Sequence, residues 1–106
     1  MRFQIISGKT LDIYLQKKQC LVIDLREENS YKEGHIPGAV WMDWEYAQEH
    51  IDGLLGDYVQ EHKHWPEWII LYCDSGNISL LTARDLATRG YPVMSLNGGY
   101  EQYVKR

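Results

Sequence analysis

The sequence predicts an α/β domain built around a parallel sheet, and three observations lead to that prediction. Leu21–Leu25 (LVIDL) and Trp68–Tyr72 (WIILY) are nearly unbroken apolar runs, typical of strands that are buried on both faces. Segments with helical spacing of apolar residues alternate with these strands, as they do in βαβ units. The 106 residues contain no repeat, low-complexity tract or linker, which fits one domain over residues 1–106.

The first half of the chain supplies one further strand before Leu21 and one after it. Phe3–Ile6 is predicted as a short strand, and Ser7 as the N-cap of a helix whose apolar face includes Leu11, Tyr14 and Leu15. One or two helical turns over residues 27–33 follow, with a glycine stop, and then a short strand over residues 39–41.

The segment Asp43–Trp65 has the weakest pattern. Its apolar residues suggest two short helices broken near Gly53, which would form a pocket wall or a docking face. The four tryptophans are expected to be core or lid residues. They are Trp41, Trp44, Trp65 and Trp68.

The second half of the chain continues the alternation. A helix is predicted over Asn77–Arg89, with a stop supplied by Gly90 and Pro92. A last strand, VMSL, and a terminal helix over Gly98–Arg106 complete the order. The predicted fold class is therefore α/β.

Composition and charge exclude several classes of partner. The formal net charge is −4, whereas nucleic acid or an anionic membrane would require a basic patch. No apolar run approaches the length of a membrane span, and the N-terminus lacks a signal-peptide pattern. We therefore expect a cytoplasmic protein, with both cysteines kept as thiols.

Cys73 stands where a strand gives way to a helix, in the stretch LYCDSGNIS. Ligands of parallel α/β sheets bind at this end of the strands, toward which helix N-termini point. The loop through Gly76 could direct backbone N–H groups at the sulfur, and a helix dipole would favour a thiolate. Alternatively, Cys73 is a buried structural thiol, and the local pattern leaves both interpretations open.

Three stretches resemble the rhodanese-like family. DLREENSYKEGHIPGAV is similar to the Asp-x-Arg…Gly-His-Ile-Pro-Gly-Ala signature, YCDSGNIS resembles the active-site loop, and YPVMSLNGGYEQY resembles the C-terminal segment. They come in family order and cover nearly the whole chain, although Tyr103 replaces the usual Trp. The resemblance implies a three-layer α/β/α domain with a central five-stranded parallel sheet.

The resemblance also implies a sulfurtransferase in which Cys73 carries sulfane sulfur as a persulfide. A small molecule or a protein would donate the sulfur, and a thiol or other nucleophile would accept it. Backbone amides of the loop would stabilise the thiolate and the persulfide, with Ser75 and Asn77 as candidate side-chain donors. No cofactor and no metal are implied. The complete candidate loop consists of Cys73, Asp74, Ser75, Gly76, Asn77 and Ile78.

The loop departs from related patterns in ways that bear on substrate. Rhodanese-like phosphatases use Cys-x5-Arg, and Ser79 stands where that Arg would be, so phosphatase chemistry is not expected. Many sulfurtransferases place Arg directly after the cysteine and Arg, Thr or Ser at the loop end, where this chain has Asp74 and Ile78. Pro37 occupies a position that is Arg in some thiosulfate-using members. Thiosulfate is therefore expected to be a poor donor.

Several residues near the predicted site are expected to have structural roles. Asp24 and Arg26 should pair with loop amides and with Glu27 or Glu33, and His35 should hold the Gly-His-Ile-Pro turn. Cys20 lies a strand length from Cys73, so no internal disulfide is expected. The remaining histidines lack partners at metal-ligand spacing. They are His50, His62 and His64.

A second function class remains beside the sulfurtransferase. The chain could be a catalytically quiet rhodanese-like module used for regulation or protein docking. The unusual residues Asp74 and Ile78 favour that alternative, whereas the cysteine with its glycine and polar loop favours sulfur transfer.

Overall fold

A five-stranded parallel sheet forms the centre of the computed structural model, which describes residues 2–106. The strand order is β1-β5-β4-β2-β3, and every neighbouring pair is parallel. The α/β class and the five-stranded parallel sheet are therefore confirmed. The strands are β1 (Phe3–Ile6), β2 (Cys20–Asp24), β3 (Val40–Trp41), β4 (Trp68–Tyr72) and β5 (Val93–Leu96).

Helices cover both faces of the sheet. Alternate residues of each buried strand point to opposite sides, so both faces are apolar and both must be covered. The helices are α1 (Gly8–Lys17), α2 (Glu28–Glu33), α3 (Ala47–His62), α4 (Asn77–Thr88) and α5 (Gly99–Tyr103). On β4, Ile69 and Leu71 pack in the core beneath α3 and α4, whereas Ile70 and Tyr72 pack in the core beneath α1 and α5. This double burial explains the unbroken apolar run of that strand.

One helix, α3, replaces the two short helices predicted for the segment after Asp43. A 3₁₀ turn at Trp44–Tyr46 leads into it, and the helix continues through Gly53 and Gly56 without a break. Both glycines are exposed, and a methyl group added to either would meet open space, so each costs only its intrinsic helix penalty of about 1 kcal/mol. Burial of the opposite face outweighs that cost. The buried residues are Ala47, Ile51, Leu55 and Tyr58.

The tryptophans divide between core and surface. Trp68 is buried and Trp41 is half-buried, and the indole N–H of Trp41 donates to the Arg26 carbonyl at 2.8 Å. Trp44 and Trp65 are 47% and 68% exposed, so neither is a core residue, and a lid role for them stays a prediction.

The local signals at helix ends are reproduced in the structure. The hydroxyl of Ser7 accepts from the Thr10 amide at 3.1 Å and caps α1, as predicted. Gly90 ends the α4 region in the left-handed conformation with φ +96°, which a side chain would resist. Among residues 2–106, no helix is both long enough and apolar enough to cross a membrane.

Candidate active site

Cys73 directly follows β4 and is 3% exposed. It lies at the edge of the sheet where the carboxyl ends of the parallel strands meet, as predicted. Residues 74–76 form a short turn, and α4 begins at Asn77. Gly76 adopts φ +100° in this turn, and its backbone lies so close to Gly98 that an added Cβ would be 3.1 Å from the Gly98 nitrogen. The turn therefore requires glycine for both conformation and space.

Backbone N–H groups from the start of α4 are directed at the sulfur. The amide of Gly76 donates to Cys73 Sγ at 3.2 Å and the amide of Ser79 donates to it at 3.3 Å. Sulfur at a helix N-terminus also meets the positive end of the helix dipole. Hydrogen bonds and dipole both stabilise negative charge on this sulfur.

The donor set differs in part from the one expected from the sequence. Gly76 contributes its amide as predicted, but the second donor is the amide of Ser79, one residue beyond the predicted loop. The side chains of Ser75 and Asn77 are exposed, and no hydrogen bond within residues 2–106 joins either to Cys73. Asp74 and Ile78 are also exposed. The N–H donors to the sulfur are therefore backbone amides and not the side chains of Ser75 and Asn77.

Ser79 is the site residue that the sequence interpretation missed. Its hydroxyl lies 3.6 Å from Cys73 Sγ, donates to the Gly76 carbonyl at 3.2 Å and lies 2.8 Å from the hydroxyl of Ser95 on β5. Ser79 and Ser95 are both buried. The sequence did contain a signal for its burial. Ser79 lies four residues before the buried Ala83, and so on the same apolar face of the predicted helix.

The start of α5 holds the other side of the loop. The Tyr100 amide donates to the Cys73 carbonyl at 2.8 Å, and the Glu101 amide donates to the Asp74 carbonyl at 3.1 Å. Gly99 makes this approach possible: it has φ +63°, and a Cβ there would lie 2.5 Å from the Cys73 carbonyl oxygen. The glycine pair of the C-terminal segment therefore fixes the backbone of the cysteine loop.

A buried ion pair supports the same edge of the sheet. Asp24, at the end of β2, accepts from the Arg26 amide at 2.8 Å and pairs with the Arg26 guanidinium at 2.8 Å. The guanidinium also donates to the Gly34 carbonyl at 2.6 Å. The predicted pairing of Arg26 with Glu27 or Glu33 is wrong, because Asp24 is buried next to it while both glutamates are exposed.

Arg26 also contacts Tyr100, whose amide holds the cysteine loop. Its guanidinium carbon lies 4.0 Å from the ring centroid of Tyr100, in cation–π contact. Burial lowers the pKa of Arg26, but the hydrogen bonds and charge of Asp24 more than offset this, and the charge of Asp74 contributes to the net rise. The guanidinium therefore stays charged, and its charge is balanced by carboxylates of the protein itself.

Tyr72 joins this ion pair to the Gly-His-Ile-Pro turn. Its hydroxyl accepts from the Ile36 amide at 3.1 Å. Burial, followed by a hydrogen bond with Asp24, raises the pKa of Tyr72, so the phenol stays neutral. Because Tyr72 immediately precedes Cys73, this contact connects the turn to the cysteine.

His35 lies in the same turn. Its Nδ1 is 2.8 Å from the Tyr31 carbonyl and its ring stacks on that of Tyr31 at 3.8 Å. Since a carbonyl only accepts, Nδ1 carries the proton. These contacts support the structural role predicted for His35, which stays a prediction.

The second cysteine lies at the opposite end of the sheet. Cys20 is the first residue of β2, is half-buried and is a free thiol, as is Cys73. Burial raises the pKa of Cys20 to about 11. Within residues 2–106, no group of three or more His, Cys, Asp or Glu side chains is placed to hold a metal ion.

A buried cysteine that faces helix N-terminal amides, at the carboxyl edge of a five-stranded parallel sheet, is typical of α/β proteins that bind anions or use a cysteine nucleophile at this edge. The family model for the rhodanese-like domain matches residues 8–106. The chain therefore belongs to the rhodanese-like domain family.

Curated relatives and a solved structure agree with this assignment. The chain is 31% identical over 102 residues to a thiosulfate sulfurtransferase GlpE of Pseudoalteromonas translucida, covering 94% of this chain and 88% of that protein. It is 32% identical over 83 residues to a tRNA sulfurtransferase of Desulfurococcus amylolyticus, covering 78% of this chain but only 14% of that protein. The human single-domain sulfurtransferase TSTD1 superimposes with a TM-score of 0.77 at 16% identity, covering 96% of each chain, and shows the fold alone.

Proposed function

We propose that this protein transfers sulfane sulfur through a persulfide on Cys73. The observation that carries the proposal is the pair of backbone N–H groups, from Gly76 and Ser79, that donate to the Cys73 sulfur. Relatives named sulfurtransferases support sulfur transfer as the general activity. A reducing compartment, such as the predicted cytoplasm, would keep Cys73 free to react.

The reaction has two displacement steps. The Cys73 thiolate attacks the outer sulfur of a donor persulfide R–S–S⁻, so that a new S–S bond forms, the donor S–S bond breaks and R–S⁻ leaves. An acceptor thiolate then attacks the outer sulfur of the Cys73 persulfide and takes it, which regenerates the Cys73 thiolate. No electrons are gained or lost overall. The amides that face the sulfur would stabilise each anionic species.

Charge near the loop favours a persulfide donor over thiosulfate. Asp74 follows Cys73 and is exposed, while the guanidinium of Arg26 is held by Asp24 at 2.8 Å. At about 7 Å and an effective dielectric near 20, each unit charge pair contributes roughly 2 kcal/mol, and less when exposed. Thiosulfate is a dianion, and would meet this carboxylate without a free guanidinium to offset it. The substrate in the name of the GlpE relative is therefore not transferred to this chain.

A catalytically quiet docking module is the second candidate. The exposed positions of Asp74 and Ile78, both unusual for the family loop, favour it. The two candidates differ in one measurable property, because only the sulfurtransferase must form a persulfide on Cys73.

Mass spectrometry tests the proposal. The protein is exposed to glutathione persulfide or to thiosulfate, and its mass and its Cys73 peptide are measured, with Cys73→Ser and Cys20→Ser treated in the same way. We expect one added sulfur from the persulfide, little from thiosulfate, complete loss in Cys73→Ser and full loading in Cys20→Ser. No loading of folded protein with a free Cys73 would favour the docking module.

A further inference from the structure

An apolar cleft begins next to the cysteine loop. It has a volume of about 490 Å³ and lies between the 3₁₀ turn and the N-terminal half of α4. Its walls include large apolar side chains that are exposed to solvent: Trp44 (47%), Tyr46 (48%), Ile78 (37%) and Leu81 (61%). These are four of the eight large exposed apolar side chains in residues 2–106, so the exposed apolar surface is concentrated at this cleft.

The cleft adjoins the cysteine loop at one residue, Ile78. The next residue, Ser79, donates its amide to Cys73 Sγ at 3.3 Å. A molecule seated against Ile78 would therefore be close to the outer sulfur of a Cys73 persulfide. Ile78 also stands where many family members have a polar or basic residue, which makes this contact surface apolar in the present chain.

All formally charged side chains that line the cleft are acidic. They are Glu45, Glu49 and Asp85, and Asp74 adds a fourth exposed carboxylate in the adjoining loop. Neither Arg84 nor Arg89 lines the cleft, although the Arg89 guanidinium donates at 3.2 Å to the carbonyl of Gln48, which does line it. The cleft thus combines apolar contact area with a negative rim.

We propose that the acceptor for the Cys73 persulfide is a cysteine on a protein or peptide, flanked by apolar and basic residues that bind in this cleft. This inference rests on the proposed function and specifies its acceptor. Apolar side chains of the acceptor would cover Trp44 and Leu81, while its basic groups would face the carboxylates. Complementary charge of this kind accelerates association and selects against anionic competitors.

The transfer step balances as in the general reaction. The acceptor cysteine releases its proton to solvent, and its thiolate attacks the outer sulfur of the Cys73 persulfide. One S–S bond forms on the peptide, the S–S bond to Cys73 breaks, and Cys73 returns to the thiolate. No oxidant or reductant is consumed.

Designed peptides provide the probe. Protein preloaded with sulfur is mixed with acetyl-Arg-Leu-Cys-Leu-Arg-amide, with its Glu-Leu-Cys-Leu-Glu counterpart or with glutathione, and loss of sulfur from Cys73 is followed by quenched-flow mass spectrometry. Each rate is normalised to the rate of that thiol with an aromatic disulfide in the absence of protein, which removes differences in intrinsic reactivity. We expect the basic peptide to react on the order of tenfold faster than the acidic one at low salt, with the ratio falling as salt rises.

Matched variants separate the cleft from the rest of the surface. Leu81→Gln should slow transfer to the basic peptide through lost apolar contact at unchanged charge, whereas Ile13→Gln, at a similarly exposed residue on α1 (54%), should not. Replacing Glu45 and Glu49 by Gln should reduce the peptide preference severalfold. The control variant Glu61→Gln with Glu67→Gln has the same net charge and should keep the preference. Glutathione, which is anionic, should react at similar rates in the Leu81 and Ile13 variants and no more slowly in the charge variants.

The outcomes distinguish this inference from the proposed function. A Cys73 persulfide that transfers to glutathione and to both peptides at equal normalised rates would overturn the peptide-acceptor inference and leave sulfur transfer intact. Light scattering that shows a dimer abolished by Leu81→Gln would also overturn it, because a second copy would then occupy the cleft. Absence of any persulfide on Cys73 would refute the proposed function itself.

Discussion

The two ends of the sheet place its two cysteines in opposite environments. At the carboxyl ends of the strands, Cys73 receives two N–H donors from the start of α4. At the amino ends, Cys20 begins β2, and burial raises the pKa of its thiol to about 11. Both cysteines belong to parallel strands of one sheet or directly follow them, so the strand itself does not decide the chemistry. Helix N-termini gather only at the carboxyl edge, and that is where charge on sulfur is stabilised.

The carboxyl edge is also distinguished by its buried polar groups. The carboxyl edge contains a buried Asp24–Arg26 pair and the buried hydroxyls of Ser79 and Ser95. Burial of these polar groups is tolerated only if each has its partner. Substitutions at the carboxyl edge should therefore cost more than matched substitutions elsewhere.

The largest expected effect is on the buried ion pair. Asp24→Asn should lower the free energy of unfolding by about 3 kcal/mol, because the guanidinium of Arg26 remains buried without a carboxylate. The Arg26 side chain is 5% exposed and the Asp24 side chain is 0% exposed. Urea unfolding of the variant and the parent would measure the loss.

The second Asp–Arg pair of the chain provides the control. Asp12 and Arg106 are paired at 2.9 Å, but their side chains are 37% and 42% exposed. Asp12→Asn should therefore cost at most about 1 kcal/mol. Equal losses in Asp24→Asn and Asp12→Asn would contradict the importance given to burial at the carboxyl edge.

Glycines give a second matched pair. Gly99→Ala should destabilise the protein by about 2 kcal/mol or more, because φ is +63° and the new Cβ would overlap the Asp74 carbonyl group. The loop must move to accommodate it, so persulfide loading should slow as well. Thermal unfolding and loading rate would both be measured.

Gly53→Ala should have the opposite sign. Gly53 lies within α3, and no atom lies within 4 Å of its Cβ position. Alanine should therefore stabilise the helix by roughly 0.5–1 kcal/mol. A destabilised Gly53→Ala would show that the continuous α3 helix is wrong and would restore the broken-helix interpretation.

An effect smaller than that of Gly99→Ala is expected from Ser79→Ala. The variant keeps the amide that donates to Cys73 but loses the hydroxyl, leaving the buried Ser95 hydroxyl without its 2.8 Å partner. We expect a loss of about 1–2 kcal/mol in the free energy of unfolding, with persulfide formation retained. Ser95→Ala and the double variant complete a cycle, in which the double variant should lose less than the sum of the single ones. Strict additivity would rule out coupling between the hydroxyls.

The sequence predicted the parts of the molecule that local pattern determines. Apolar runs identified β2 and β4 because both faces of these strands are buried, and Ser7 identified the start of α1 because its hydroxyl can accept from an amide three residues on. The position of Cys73 followed from its place directly after the predicted strand Trp68–Tyr72. The resemblance to a family added the sheet size and the role of the loop.

Other features depended on tertiary contacts that local pattern does not contain. The helix through Gly53 persists because its opposite face is buried, which a break signal cannot show. Arg26 has carboxylates on both sides in the sequence, and it pairs with Asp24 rather than Glu27 or Glu33 because the fold buries Asp24 beside it and leaves both glutamates exposed. Ser79 was missed because its hydroxyl is buried against Ser95, a residue of β5 that lies 16 positions away in the sequence.

The last predicted effect concerns the amino edge and appears only at high pH. The folded state holds the Cys20 pKa at about 11, above the ordinary value of 9.0. The unfolded chain therefore ionises this thiol first, and the stability contributed by the neutral thiol is present below pH 9 and lost as pH rises to 11. Since Cys20 is half-exposed, we expect a loss of only about 1 kcal/mol.

Cys20→Ser provides the measurement, because serine cannot ionise in this range. The difference in unfolding free energy between parent and variant should shrink between pH 9 and pH 11. Other groups, such as Tyr103 with its pKa raised mainly by burial to about 12, titrate in both proteins and cancel in that difference. A difference that stays constant across this range would mean that Cys20 is as accessible to water in the folded protein as in the unfolded chain.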